Sequence, residues 1–143
     1  MKKEALITIT GKQNYGDDND KIEMTTVGTI EETDDCYIIR YNEEQDPPQR
    51  PIRATLHISK DEQKVEMLKA GAYGSLLIIE RSKRNLCNYG TQYGDMLMGI
   101  YGRTIENNYG EEEGTFLFGY DIDINGAVSS RNEVTINFKI NNQ

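Results

Sequence analysis

Residues 115–140 read TFLFGYDIDINGAVSSRNEVTINFKI, and this stretch decides the fold. Apolar side chains occupy every second position on both sides of the Asn125-Gly126 dipeptide: Phe116, Phe118, Tyr120, Ile122 and Ile124 before it, and Val134, Ile136, Phe138 and Ile140 after it. Such alternation is typical of strands with one buried face. Asn-Gly tolerates the two positive φ angles of a type I′ turn. We therefore predict that 115–124 and 131–140 pair as an antiparallel hairpin.

The same period of two recurs along the rest of the chain. It is clearest at Ile52, Ala54, Leu56 and Ile58, and weaker over residues 4–11, 21–31, 36–42, 63–69, 75–81 and 95–106. Between Met24 and Val27 the apolar phase changes near Gly28, which suggests a β-bulge or a bend. Residues 60–70 contain helix formers, but their apolar positions make no helical stripe, so a strand is favoured.

These strands and the turns between them predict the architecture. Many short strands, separated by turns at intervals of about 8–12 residues, are typical of a sandwich or a barrel. Short connections favour antiparallel pairing of sequence neighbours, and closure of the sheet removes its edges. We predict an all-β fold: a single antiparallel, mostly up-and-down meander β-barrel of about eight to ten strands, with little or no helix. The length of 143 residues fits one domain over 1–143.

Charge and composition exclude several classes of partner. The formal net charge of -8 repels phosphate backbones and anionic lipids, so we expect no nucleic acid and no membrane as partner. The longest aliphatic run, Leu76 to Ile79, is far shorter than the roughly 20 residues of a membrane span. Cys36 and Cys87 are far apart in sequence and form no C-x-x-C motif. This is typical of unpaired thiols in a reducing compartment. These features predict a cytoplasmic protein.

Candidate chemistry is sparse. Residues 121–126, DIDING, imitate the start of an EF-hand loop, but Asn132 stands where the bidentate Glu is needed, and the flanks are strands by period. The single histidine, His57, alternates with Leu56 and Ile58, which places it on the outer face. No other histidine or paired cysteine can complete a zinc site or a triad around it. We expect no metal, no cofactor and no enzymatic activity.

A segment rich in tyrosine and glycine is the best candidate for a binding site. Tyrosine offers an apolar ring with a polar tip, which suits the mouth of a ligand cavity or a partner surface. Cross-strand aromatic pairs on a sheet explain the same residues equally well. Taken with the aromatic residues of the 115–124 strand, the predicted ligand-binding residues are Tyr89, Tyr93, Tyr101, Phe116, Phe118 and Tyr120.

Several motifs occur in an order that resembles the YwiB-like family of bacterial proteins. They are Lys69-Ala70-Gly71-Ala72, then Tyr89-Gly90-Thr91-Gln92-Tyr93-Gly94-Asp95-Met96-Leu97, then Glu113-Gly114 and Tyr120-Asp121. Each motif is loose, and their order and spacing carry the match over nearly the whole chain. The resemblance implies a calycin-like β-barrel, similar in architecture to lipocalins, in a bacterial cytoplasm. It implies no activity and no site residue.

Two functions fit these expectations. The first is non-catalytic binding of a small, partly apolar or amphipathic molecule inside one end of the barrel, because barrels of this size hold side chains or one small ligand. The alternative is a protein-interaction or homodimerisation module whose core is packed solid by Phe116, Phe118, Phe138, Leu56 and Ile136. Both are compatible with a monomer or a homodimer.

Overall fold

The computed structural model describes residues 2–43, 51–70, 75–91 and 93–141, with the backbone alone for 89–91. Ten strands follow one another in these ranges: β1 Lys2–Tyr15, β2 Asp18–Glu32, β3 Cys36–Glu43, β4 Ile52–Ser59, β5 Lys64–Ala70, β6 Ser75–Glu80, β7 Arg84–Thr91, β8 Gly94–Asn108, β9 Glu113–Ile124 and β10 Ala127–Ile140. No helix, and therefore none long and apolar enough to cross a membrane, occurs in the described ranges.

The ten strands form a closed antiparallel barrel in which each strand lies between its neighbours in sequence and β1 pairs with β10. The longest ladder joins β1 to β2, from Lys2 opposite Glu31 to Tyr15 opposite Asp18. This arrangement confirms the predicted meander barrel, its strand number and the strand over 64–70. Alternation then sends every second side chain into the lumen.

The predicted hairpin over 115–140 is confirmed. Strands β9 and β10 pair with Phe118 opposite Val134 and Phe116 opposite Ile136. Asn125 and Gly126 adopt φ angles of 55° and 86°, as a type I′ turn requires. The ladder shifts register between Val128 and Ser130, close to the turn.

Gly28 marks a close approach between strands and not a β-bulge. The β1–β2 ladder passes through Ala5 opposite Gly28 without a shift of register, so of the predicted bulge or bend the bulge is wrong. A Cβ atom at Gly28 would lie 2.3 Å from the carbonyl oxygen of Arg40 on β3, and only glycine lets the two backbones come so close. The apparent change of phase arises because Val27 points outward, with 58% of its surface exposed.

One end of the barrel is closed by four aromatic rings, which we call the aromatic plug: Tyr37, Tyr109, Phe116 and Phe138. Tyr37 stacks on Tyr109 with ring centroids 4.5 Å apart, and Phe116 stacks on Phe138 at 5.7 Å. Two tilted contacts, of 5.3 Å between Tyr37 and Phe116 and 5.6 Å between Tyr109 and Phe138, complete the set. Aromatic pairs at these separations are favourable beyond their buried area, so this end of the core is solid.

The seam between β6 and β7 is held partly by side chains. Its ladder contains one partner pair, Ser75 opposite Tyr89, within the described residues. Between that pair and the turn, the amide of Ile78 donates to Cys87 Sγ at 3.4 Å, and Asn85 Nδ2 donates to the Ile78 carbonyl at 3.4 Å. Cys87 therefore serves as a buried acceptor, and both it and Cys36 are free thiols.

Candidate functional site

The half of the barrel beyond the aromatic plug is hollow. It contains a cavity of about 500 Å³, within the range of small-molecule sites. Gln13 and Asp20, which face each other near the β1–β2 turn, belong to the lining and mark the end where it opens. Ile22 there is 70% exposed. Leu56 and Ile136, which the solid-core alternative assigned to a filled barrel, line the cavity instead.

Methionines make up a large part of the apolar wall, beside isoleucine, leucine and valine. Four of the five methionines of the chain line the cavity, namely Met24 on β2, Met67 on β5, and Met96 and Met98 on β8. Met67 and Met98 are each 8% exposed, whereas Met96 is 39% exposed towards the opening. Methionine is unbranched and polarisable, so it adapts its shape to irregular apolar partners. The wall is therefore suited to apolar molecules of more than one shape.

An ion pair stands on the same wall, one layer closer to the opening. Lys69 follows Met67 by two residues on β5, and Glu43 follows Tyr41 by two residues on β3, so all four side chains share the inward face. Lys69 Nζ lies 2.9 Å from Glu43 Oε1, and the Tyr41 hydroxyl donates to the same oxygen at 3.4 Å. The pair is only partly desolvated, since the two side chains are 35% and 24% exposed.

Tyr41 belongs to the floor of the cavity, where polar tips meet apolar side chains. Burial raises the pKa of Tyr41 far above its ordinary value, and the Glu43 carboxylate and the nearby Tyr120 raise it further, so this phenol stays neutral. Tyr120 on β9 and Asn132 on β10 are also lining residues, 7% and 6% exposed. Asn132 Nδ2 donates to Ser130 Oγ at 3.1 Å.

The structure separates the six residues predicted to bind a ligand. Tyr120 lines the cavity, whereas Phe116 and Phe118 are fully buried, Phe116 in the aromatic plug and Phe118 stacked on Tyr120. Tyr101 points outward from β8 and is 39% exposed, and Tyr93, in the β7–β8 turn, is 90% exposed. The Tyr89 side chain lies outside the described residues, although its backbone pairs with that of the lining residue Met96.

Sequence reasoning missed the methionines and the ion pair. One signal was available, because Met96, Met98 and Ile100 alternate on one face and thereby assign Tyr101 to the other. Alternation indicates which face a side chain is on, but no sequence pattern indicates how far along the barrel axis it lies. Glu43 and Lys69 lie on separate strands and meet only through the pairing of β3 with β4 and β4 with β5.

The candidate metal and catalytic residues lie elsewhere. Asp121 contacts Arg103 at 2.9 Å and Arg131 at 3.4 Å, and Asp123 contacts Arg84 at 2.6 Å. These carboxylates are thus engaged by arginines on the outer surface. Among the residues that the structure describes, no three His, Cys, Asp or Glu side chains form a group that could hold a metal ion. His57 is exposed on β4, as its phase predicted.

Comparisons with known proteins agree with this architecture. The family model described as Domain of unknown function (DUF1934) matches residues 7–136. No curated protein matches the chain. Among solved structures, the crystal structure of ywiB protein from Bacillus subtilis superimposes with a TM-score of 0.85 at 16% sequence identity, over 99% of this chain and 94% of that one. The chain belongs to the DUF1934 family, and its motifs' resemblance to YwiB-like proteins is thereby confirmed.

Proposed function

We propose that this protein is a non-catalytic binding protein that holds one small apolar or amphipathic molecule in the barrel cavity. The observation that carries the proposal is the gathering of four of the five methionines around a space of about 500 Å³. A barrel built only for stability would fill this space, because unfilled volume costs about 24 cal/mol per Å³ in a protein core. A hollow, adaptable apolar wall is what a ligand site needs.

The chemistry of the lining favours binding over catalysis. Its described polar groups are carboxylates, lysines, amides, phenols and Ser75, and Glu43 is engaged by Lys69 and Tyr41. A catalytic set needs a nucleophile, a base or a metal in mutual reach. His57, the strongest candidate for a base, lies on the outer face. The net charge of -8 fits a partner other than nucleic acid. The two free thiols fit a reducing compartment such as the cytoplasm.

The test begins with native mass spectrometry of freshly purified protein, which reports a retained ligand and the oligomeric state together. Binding is then measured with Nile red, an uncharged apolar dye whose emission rises in apolar surroundings. Met96→Gln introduces a polar group of similar size into the lining at a half-exposed site, and we expect it to weaken dye binding. Leu97→Gln, at the next position but on the outer face with 54% exposure, is the matched control and leaves binding unchanged.

A different result would redirect the function. If wild-type protein retains no ligand, binds no dye and is stabilised by no compound of a metabolite and lipid library, the binding proposal fails. The alternative is then an interaction or homodimerisation module. Its contact would use the outward leucines of β5 to β8, of which Leu86 is 60% exposed and Leu68 is 49% exposed. In that case Leu86→Ser dissociates a dimer seen by native mass spectrometry.

A further inference from the structure

The charges around the cavity restrict the head group of a ligand. Three charged residues of the lining lie on the inward phase of their strands, two carboxylates and one ammonium group: Asp20, Glu43 and Lys69. The wall therefore has an excess of negative charge, within a chain whose net charge is -8. An anionic ligand approaches against this field, whereas an uncharged one is indifferent to it.

The ion pair leaves little room for a second carboxylate. Lys69 is a lining residue on the inward face of β5, and Glu43 already holds its Nζ at 2.9 Å. A ligand carboxylate that approached Lys69 would lie beside the Glu43 carboxylate. Two carboxylates that share a site repel each other, and one of them is driven to take up a proton. Partial burial of the pair strengthens this repulsion relative to that in water.

An uncharged polar head can join the pair without this cost. Within the part of the chain that the structure describes, both contacts of Glu43 go to Oε1, so Oε2 keeps its capacity to accept. The Lys69 ammonium has three donors, of which Glu43 takes one. A hydroxyl or a primary amide both donates and accepts, so it can donate to Glu43 and accept from Lys69 at once.

Resting on the proposed function, we propose that the cavity takes amphipathic molecules with a hydroxyl or amide head and rejects those with a free carboxylate. The apolar tail contacts Met24, Met67 and Met98, and the head meets Lys69 and Glu43 one layer nearer the opening. Specificity here comes from a repulsive element as well as from attraction, which is how many sites discriminate between related ligands.

The test compares head groups on one tail. Decanol, decanamide and decanoate share the same carbon skeleton, and near pH 7 decanoate is ionised, because aliphatic carboxyls titrate at about 4–5. Each compound competes with Nile red for the wild-type protein. We expect decanol and decanamide to displace the dye at concentrations about tenfold or more below that of decanoate, which corresponds to about 1.4 kcal/mol.

Two variants assign this discrimination to the ion pair. Glu43→Gln removes the carboxylate charge but keeps an oxygen that accepts from a hydroxyl, and we expect decanoate to gain about tenfold in affinity relative to decanol. Glu66→Gln is the matched control, because Glu66 also pairs with a lysine, Lys64 at 3.0 Å, but points outward from β5. It changes the net charge equally and should leave the ranking of head groups as it is in wild type.

The outcomes separate the two proposals. If decanoate displaces the dye as well as decanol does, or if Glu66→Gln shifts the ranking as much as Glu43→Gln does, the head-group inference is overturned and the binding function remains. If neither the dye nor any of the three compounds binds the wild-type protein, the binding function itself fails.

Discussion

Filling the cavity from its own wall should stabilise the protein while it weakens ligand binding. Gly11 lies on the inward face of β1 and belongs to the cavity lining. A Cβ atom built there meets nothing within 4 Å. Its strand partners are two further lining residues, Val134 on β10 and Ile22 on β2. A Gly11→Val side chain would therefore enter empty space with apolar neighbours on both sides.

The expected gain follows from three contributions. Glycine inside a strand costs about 0.5–1 kcal/mol in backbone entropy. Valine is also favoured in strands, on a scale that spans about 1 kcal/mol. Burial of a valine side chain is worth about 1.5–3 kcal/mol when complete, and only part of this applies beside an open cavity. We expect Gly11→Val to raise the free energy of unfolding by about 1–2 kcal/mol, or Tm by about 3–8 °C.

Urea unfolding followed by circular dichroism measures the stability, and Nile red titration measures the binding. We expect dye affinity to fall about tenfold or more, as it does for one extra methylene in an apolar pocket. Gly28→Val is the matched control, since its Cβ would lie 2.3 Å from Arg40 O and 2.8 Å from Ile7 Cδ1. Overpacking of this kind costs about 1–3 kcal/mol. If Gly11→Val destabilises the protein as Gly28→Val does, position 11 is packed and the reasoning about the cavity is refuted.

Two further predictions concern Asp121 and Asp123, the acidic residues near the β9–β10 turn. The hydrogen bond from Arg84 and that from the Gly126 amide hold the pKa of Asp123 below its ordinary value of 3.8, although burial opposes them. The ionised Asp123 carboxylate therefore stabilises the folded state above its ordinary pKa. This stabilisation is lost as the pH falls through the lower pKa of Asp123 in the folded state. Acid unfolding curves of Asp123→Asn should lose part of this dependence below about pH 4, and identical curves would contradict the assignment. Calcium should leave the wild-type Tm unchanged, because arginines engage both carboxylates. A specific site would add about 2.7 kcal/mol at a hundredfold excess over its Kd, and a calcium-dependent rise lost in Asp121→Ala would show that the site exists.

Period and turn chemistry were sufficient to predict the barrel. The alternation over 115–140 and the Asn125-Gly126 dipeptide describe local geometry, and closed meander topology follows from short connections. The alternation near Gly28 was misinterpreted because Val27 was taken as an inward residue. An exposed β-branched residue in a strand looks the same in sequence as a buried one. Glycine is required at position 28 because β3 packs closely against it in the folded structure. The residues next to Gly28 in sequence give no sign of this contact.

The site was much less predictable than the fold. Phe116 and Phe118 were correctly expected to point inward, but an inward side chain can line a cavity or fill a core. Which of these occurs depends on the level along the barrel axis and on what reaches that level from the opposite wall. Phe116 meets Tyr37 and Phe138 there, and the rings fill the lumen. Such meetings join residues far apart in sequence, as does the pairing of Glu43 with Lys69.

The position of the aromatic plug also determines how the molecule can be attached to anything else. Lys2 pairs with Glu31, and the Asn141 amide donates to the Glu4 carbonyl at 3.0 Å, so both ends of the described chain lie on the plugged side. The cavity therefore opens at the end of the barrel opposite to both ends of the described chain. A linker, an affinity tag or a sensor surface joined to either end leaves the rim facing solvent. Molecules immobilised through either end of the described chain would therefore carry the cavity opening on the side away from the point of attachment.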